Sequence, residues 1–182
     1  EDSITTLKKS TPKVDVKTTS LLNEIDYQVV VTDTDEVGSL ESVELRLNGN
    51  LVELLEDAQG LFSNLLTNTN YELVVTYTYD LEDGNGSKEL ESKVEFTTLK
   101  QTPSVDVKYQ TTKSSIEYIT SITDLDETVK SKLVELYLGS ELISSSSELN
   151  DSFEDLLAGK TYKLVVKVTY DVNDGLGEKV LS

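Results

Sequence analysis

The sequence predicts an all-β chain made of two tandem seven-stranded antiparallel β-sandwiches. Three observations predict it. The 182 residues repeat themselves at a shift of 91. Apolar and polar residues alternate within each repeat, the period of a half-buried strand. Turn-forming dipeptides such as Asn48-Gly49 separate the alternating runs.

The repeat is read directly from the residues. Thr11-Pro12-Lys13-Val14-Asp15-Val16-Lys17 recurs as Thr102-Pro103-Ser104-Val105-Asp106-Val107-Lys108. Val43-Glu44-Leu45-Arg46-Leu47 returns as Val134-Glu135-Leu136-Tyr137-Leu138, and Tyr71-Glu72-Leu73-Val74-Val75 as Tyr162-Lys163-Leu164-Val165-Val166. Without any gap, 11–91 and 102–182 share 32 identities in 81 positions, about 40%. Chance does not sustain that in one register, so one unit is present twice.

Within a unit, the elements follow in order. Strands are expected near 13–18, 24–33, 42–48, 50–54, 59–65, 71–80 and 87–98. Ile25, Tyr27, Val29 and Val31 alternate with Asp26, Gln28, Val30 and Thr32; Ile116, Tyr118 and Ile122 keep that face in the second unit. Val43, Leu45 and Leu47 alternate with Glu44, Arg46 and Asn48, and Tyr162, Leu164, Val166 and Val168 with Lys163, Val165, Lys167 and Thr169. One set faces a core and the other meets water, as in antiparallel sheets with one wet face. Asn48-Gly49 predicts a tight hairpin, and Asn85-Gly86 a longer turn. Single helical turns compete over 51–57 and 152–157. Ser144–Ser147 reads as a flexible loop. Seven short strands in about 90 residues read as a two-sheet sandwich.

Leu65-Leu66-Thr67-Asn68-Thr69-Asn70-Tyr71 resembles the Leu-x-Pro-x-Thr-x-Tyr pattern of fibronectin type III modules. Alternating apolar residues, the loop Asp83-Gly84-Asn85-Gly86 and a closing Phe96-Thr97-Thr98 follow it. The second unit offers Leu157-Ala158-Gly159-Lys160-Thr161-Tyr162, and Pro12 and Pro103 stand where such modules begin. The chain departs from the pattern twice. Thr67 replaces the Pro, which the second unit lacks, and the usual strand B Trp is missing, with Tyr27 and Tyr118 left to fill its space. This resembles the divergent type found in bacterial surface proteins. The resemblance implies a tyrosine corner at Tyr71 and Tyr162, each hydroxyl bonding backbone a few residues upstream.

Composition narrows the function. The chain has no His, Cys, Met or Trp, one Arg (Arg46), and 34 acidic against 16 basic residues, a net charge of −18. Without His or Cys there is no Ser-His-Asp triad, no thiol nucleophile and no imidazole or thiolate zinc site. A carboxylate pair could still hydrolyse a glycoside, yet none is flanked by groups that would raise one pKa, so no enzyme and no catalytic residue is expected. The charge argues against nucleic acid and anionic membrane surfaces. No apolar run reaches a membrane span. Asn85-Gly86-Ser87 and Asn150-Asp151-Ser152 fit the glycosylation acceptor pattern.

One cofactor is considered, Ca²⁺. Asp33-x-Asp35-Glu36 recurs as Asp124-x-Asp126-Glu127, and Asp80-x-x-Asp83 as Asp171-x-x-Asp174. The resemblance places these segments in two loops at the end of each sandwich nearest the preceding module. Convergent carboxylates there could bind a hard cation. The competing reading is that Asp and Gly serve turns for backbone reasons.

The domains expected are 9–99 and 100–182, the latter with its last strand incomplete, while 1–8 supply the end of that strand for a preceding or neighbouring unit. Ile4-Thr5-Thr6-Leu7-Lys8 matches Phe96-Thr97-Thr98-Leu99-Lys100, and Ser182 is the counterpart of Glu91. Two explanations stand. The chain is an excerpt of a covalent array, or residues 1–8 complete the second sandwich of a neighbour and build a filament. The expected partners are therefore further copies of the repeat, covalent or by strand donation. The expected role is a structural spacer or stalk in an extracellular or bacterial cell-surface protein, with a filament subunit and an adhesin or carbohydrate-binding module as alternatives. Tyr109 and Tyr137 are isolated candidates for a binding surface.

Overall fold

The computed structural model describes residues 8–182. It divides at Leu99/Lys100 into two compact units. The first seven residues, including the Ile4–Leu7 segment, lie outside the described residues.

Unit 1 holds seven strands: β1 (Lys13–Ser20), β2 (Ile25–Thr32), β3 (Gly38–Leu47), β4 (Asn50–Leu55), β5 (Gln59–Phe62), β6 (Asn70–Tyr79) and β7 (Lys88–Thr97). Three form one sheet in the order β1-β2-β5, and four form the other in the order β4-β3-β6-β7, all neighbours antiparallel. Period two does what it predicts. Ile25, Tyr27 and Val29 of β2 and Val43 and Leu45 of β3 are buried, with Phe62, Tyr71, Leu73, Val75 and Phe96 completing the core between the sheets. Asp26 and Gln28 are exposed.

Unit 2 repeats the plan with β8 (Ser104–Thr111), β9 (Ile116–Thr123), β10 (Val129–Leu138), β11 (Glu141–Ser146), β12 (Asn150–Phe153), β13 (Tyr162–Tyr170) and β14 (Lys179–Leu181). Its sheets run β12-β9-β8 and β11-β10-β13-β14. The buried cluster is smaller: Tyr118, Val134, Leu136, Phe153, Val166 and Val168.

Several local expectations change. The helical turns over 51–57 and 152–157 do not form: β4 takes Asn50–Leu55, and β12 ends at Phe153 before a turn. Pairing with a neighbouring strand satisfies more backbone groups than one helical turn could. Ser144–Ser146 are not a loop but the end of edge strand β11, where Ser146 Oγ donates to Asp151 Oδ2 at 2.9 Å. The strand expected over 59–65 stops at Phe62, and Asn64 enters the left-handed region at φ 59°. At the tight hairpin Asn48 and Gly49 both have positive φ (52° and 79°), as the mirror-image turns of hairpins require.

The two core tyrosines occupy equivalent places. Tyr27 stacks on Phe62 (centroids 5.1 Å) and its hydroxyl donates to Asp57 O at 3.0 Å. Tyr118 stacks on Phe153 (5.3 Å) and donates to Glu148 O at 3.1 Å. Each ring gains apolar burial while its buried hydroxyl finds an acceptor.

Candidate functional site

Two places in each unit carry chemistry beyond packing. One is the loop end where the chain enters the unit. The other, at the opposite end, is the tyrosine corner.

At the loop end of unit 1, the Asp33–Val37 loop between β2 and β3 is built around its own carboxylates. Asp33 Oδ2 accepts Gly38 N at 2.9 Å and the Tyr77 hydroxyl at 2.9 Å. Burial alone would raise the Asp33 pKa, but hydrogen bonds from Val37 and Gly38 backbone and from Tyr77 outweigh it and hold the group below its ordinary value. Burial, and then the charge of Asp33, push the Tyr77 hydroxyl up to about 12. Glu36 takes a left-handed turn position at φ 51°. Asp35 Oδ2 accepts the backbone N–H of Ser10 at 2.6 Å, twenty-five residues earlier.

The Asp80–Ser87 loop between β6 and β7 uses carboxylates the same way. Asp80 Oδ1 accepts Glu82 N at 2.8 Å, and Asp83 Oδ1 accepts Asn85 N at 3.0 Å. Asp83 also pairs with Lys88 Nζ at 3.2 Å. The bonds from Asn85, and then Lys88, lower Asp83 to about 2. Lys9 Nζ reaches Glu82 at 2.8 Å, so the incoming chain touches both loops.

Unit 2 repeats the design with one exchange. Asp124 Oδ1 accepts Thr128 N and Thr128 Oγ1, each at 2.8 Å, and its Oδ2 accepts Val129 N at 2.8 Å. Burial opposes the Asp124 charge, and the Thr128 and Val129 bonds override it to lower the pKa. Thr128 thus does what Tyr77 does in unit 1; the counterpart of Tyr77 is the buried Val168. Asp126 Oδ2 accepts Gln101 N at 2.6 Å. Glu127 turns the chain at φ 53°. Asp171 Oδ1 accepts Asn173 N at 2.8 Å, Asp174 Oδ1 accepts Leu176 N at 3.0 Å, and Lys179 pairs with Asp174 and lowers its pKa.

The ten acidic residues considered for Ca²⁺ therefore lie in the loops; the eight aspartates among them accept hydrogen bonds from backbone N–H groups, with Tyr77, Thr128, Lys88 and Lys179 as further partners, while one buried oxygen, Asp33 Oδ1, has no partner among the described residues. Among the described residues, no group of three or more acidic side chains is gathered closely enough to hold a metal ion. The chemistry visible here is loop closure and capture of the incoming backbone. Sequence reading could place the acids in these loops; it could not see that Asp35 and Asp126 reach the leading segment, because that contact spans twenty-five residues.

The opposite end carries the tyrosine corner. Leu66 N donates to the Tyr71 hydroxyl at 3.0 Å, and Leu157 N to the Tyr162 hydroxyl at 2.9 Å. The corner and the sheet order together describe the fold. It is a tandem fibronectin type III-like fold.

No protein-family model and no curated protein matches the chain. Among solved structures it is similar to a two-domain fibronectin type III segment of chicken tenascin, at 12% identity over 93% of this chain and 97% of that one, with a TM-score of 0.39. It is similar to the FN1–FN3 domains of chicken CNTN1, at 13% identity over 96% of this chain and 67% of that one, TM-score 0.34. A third is the structure of the fibronectin(III)-like modules of Clostridium thermocellum CbhA, at 16% identity over 93% of this chain and 91% of that one, TM-score 0.31.

Thr98 belongs to the corner of unit 1, a role that its place in the closing Phe96-Thr97-Thr98 did not disclose. It is buried; its Oγ1 donates to Leu66 O at 2.6 Å and accepts Thr69 N at 3.0 Å. Its backbone N–H donates to Thr69 O at 3.1 Å. The signal that could have found it is the repeated Thr-Thr-Leu-Lys of 97–100 and 5–8. Of the binding candidates, Tyr137 is half-buried and donates to Glu135 Oε2 at 2.6 Å, while Tyr109 is 67% exposed on β8, in a strand rather than a loop. Among the described residues, no helix is long and apolar enough to cross a membrane.

Proposed function

We propose that the chain is a non-catalytic spacer, a load-bearing stalk segment of an extracellular protein on a bacterial surface. The observation that carries this reading is the backbone clamp made twice. Asp35 holds Ser10 N and Asp126 holds Gln101 N, each at 2.6 Å and each where the chain enters its unit. Charge-assisted bonds of this kind are about twice as strong as neutral ones. They fix the point at which tension on the chain enters a sandwich. The other loop aspartates, Asp33, Asp80, Asp83, Asp124, Asp171 and Asp174, close their own turns, which suits rigidity better than ligand exchange. The charge of −18 keeps neighbouring stalks soluble and mutually repelling.

Single-molecule pulling on the chain tests this. Replacing Asp126 by Ala lowers the unfolding force of unit 2 and leaves that of unit 1 unchanged; Asp35→Ala does the reverse. Unchanged forces in both variants contradict a load-bearing role.

A further inference from the structure

Asparagine stands before glycine twice in the chain, as Asn48-Gly49 and Asn85-Gly86. Aspartate does so twice, as Asp83-Gly84 and Asp174-Gly175. In all four, the glycine nitrogen is able to close a five-membered ring onto the side-chain carbonyl of the residue before it. Glycine favours this because it has no side chain to shield its nitrogen and it adopts many backbone angles. The other seven asparagines precede Glu, Leu, Thr, Tyr or Asp, whose side chains shield that nitrogen.

The structure sorts the four dipeptides. Asn48 and Gly49 form the tight hairpin, with φ of 52° and 79°, and Leu47 pairs with Asn50 directly behind them. A mirror-image turn of this kind fixes both central residues in the left-handed region. Ring closure there has to rotate the turn peptide, and that rotation undoes the pairing.

The two aspartates are protected by their charge. Ring closure at an aspartate expels water and needs the neutral acid. Asp83 pairs with Lys88 Nζ at 3.2 Å, and Asp174 pairs with Lys179. Both carboxyls are held below their ordinary pKa and stay ionised in neutral solution.

Asn85 has neither protection. It and Gly86 are exposed in the loop between β6 and β7, before the pairing begins at Tyr79↔Lys88. A Cβ at Gly86 would meet nothing within 4 Å, so the nitrogen is open on that side. Among the described residues, Gly86 N donates to no acceptor. Asn85 N donates to Asp83 Oδ1 at 3.0 Å, and its side-chain amide meets the same carboxylate. These bonds are exposed, and water competes for both.

We infer that Asn85 is a site of spontaneous deamidation, a modification that needs only water and that the hairpin spares at Asn48. Gly86 N attacks Asn85 Cγ and gives up its proton, the Cγ–Nδ2 bond breaks, and ammonia leaves. Water then opens the ring. Adding at Cγ, it leaves an aspartate in the original backbone. Adding at the main-chain carbonyl carbon, it breaks the original peptide link and leaves an isoaspartyl residue, with the backbone rerouted through Cβ and Cγ. One water enters, one ammonia leaves, and nothing is oxidised or reduced. The product places a new carboxylate beside Asp83 and Lys88, in the loop whose Glu82 meets Lys9 of the incoming chain. Unit 2 has Leu176-Gly177 at the equivalent place, so the change belongs to unit 1 alone.

Peptide mapping by mass spectrometry tests the inference, on the full chain aged in warm, mildly alkaline buffer and on a sample aged in denaturant. In the folded chain, Asn85 is expected to convert about tenfold faster than Asn48, with isoaspartate among the products; that factor is roughly what keeping one hairpin hydrogen bond adds to the barrier at the tight turn. In denaturant the two sites convert at similar rates, because both dipeptides are then free. On a native gel the unmodified chain grows more acidic with ageing, while an Asn85→Gln chain does not. Four results each overturn the inference: an Asn85 that survives ageing in the folded chain, an Asn48 that converts as fast, isoaspartate that builds up as fast at Asp83 or Asp174, or an Asn85→Gln chain that acidifies like the unmodified one.

Discussion

Units 1 and 2 share about two residues in five, one strand order and one corner, yet they bury their cores differently. Tyr71 is 3% exposed and Leu73 fully buried, whereas their counterparts Tyr162 and Leu164 are half-buried. The sequence at these four positions is Tyr and Leu in both units. What changes is the strand alongside: ten residues of β7 against three of β14. A side chain's burial in a sandwich is thus set as much by the completeness of its sheet as by its own identity.

The largest expected difference follows from that. Leu73→Ala removes a fully buried side chain and destabilises unit 1 by about 3 kcal/mol, cavity cost included. Leu164→Ala costs unit 2 about 1 kcal/mol, because the same atoms are already partly in water. Denaturant unfolding of each variant checks this; equal costs would mean that Leu164 is buried as deeply as Leu73.

A second difference is a matched pair. A Cβ on Gly38 would lie 2.4 Å from Tyr77 Cε1 and 2.5 Å from Thr78 O. In unit 2 the same two positions are Val129 and Val168. The bulge in β3 lies between Leu40 and Ser42, and that in β10 between Val129 and Ser131. Gly38 is thus held small by the Tyr77 ring and also by Thr78 O and by Tyr79 Cβ at 2.7 Å. Gly38→Val destabilises unit 1 by about 2 kcal/mol through overpacking, and adding Tyr77→Val recovers only the part owed to the ring. A double-mutant cycle with no coupling would show that the ring contributes nothing.

Thr98→Val is expected to cost about 1 to 2 kcal/mol, since it strands the Thr69 N–H and Leu66 carbonyl in a part-buried corner. Thermal melts of Thr98→Val beside the unmodified chain check this; an unmoved transition of unit 1 would mean that water replaces the hydroxyl.

Acid has a smaller effect in both units. Asp33, Asp83, Asp124 and Asp174 all have folded pKa values below their ordinary ones. A carboxylate with a lowered folded pKa contributes stability above its unfolded value, and that contribution is lost as pH falls through the folded one. For Asp83 the window runs from the ordinary 3.8 down to about 2. Melting temperature therefore falls across that window, and Asp83→Asn flattens part of the fall. The smallest effect is that of Ca²⁺. With the eight loop aspartates engaged by backbone N–H groups and no group of three acids gathered among the described residues, we propose that an excess of Ca²⁺ leaves both melting transitions unmoved; a clear rise would show native-state binding.

The fold was legible in the sequence because alternation is a local signal. Tyr27 and Val43 declare their face within a few residues. The corner tyrosines were legible through a motif. The loop acids were legible only as acids. Nothing near Asp35 or Asp126 says that a backbone N–H twenty-five residues away is its partner, and a carboxylate reads the same whether it meets a cation or an amide. Gly38 carried no turn signal, since its need comes from Tyr77, Thr78 O and Tyr79 Cβ across the sheet. Ser144–Ser146 look like linker residues, but strand pairing overrode their low β-propensity at an edge.

The central claim is that each unit clamps the backbone of the segment leading into it, Ser10 N by Asp35 and Gln101 N by Asp126. Hydrogen exchange at those two amides tests this most directly. Both are expected to be protected, with Asp35→Ala speeding exchange at Ser10 alone and Asp126→Ala at Gln101 alone. Exchange at the rate of free peptide in the unmodified chain, or rates that neither substitution moves, would contradict it.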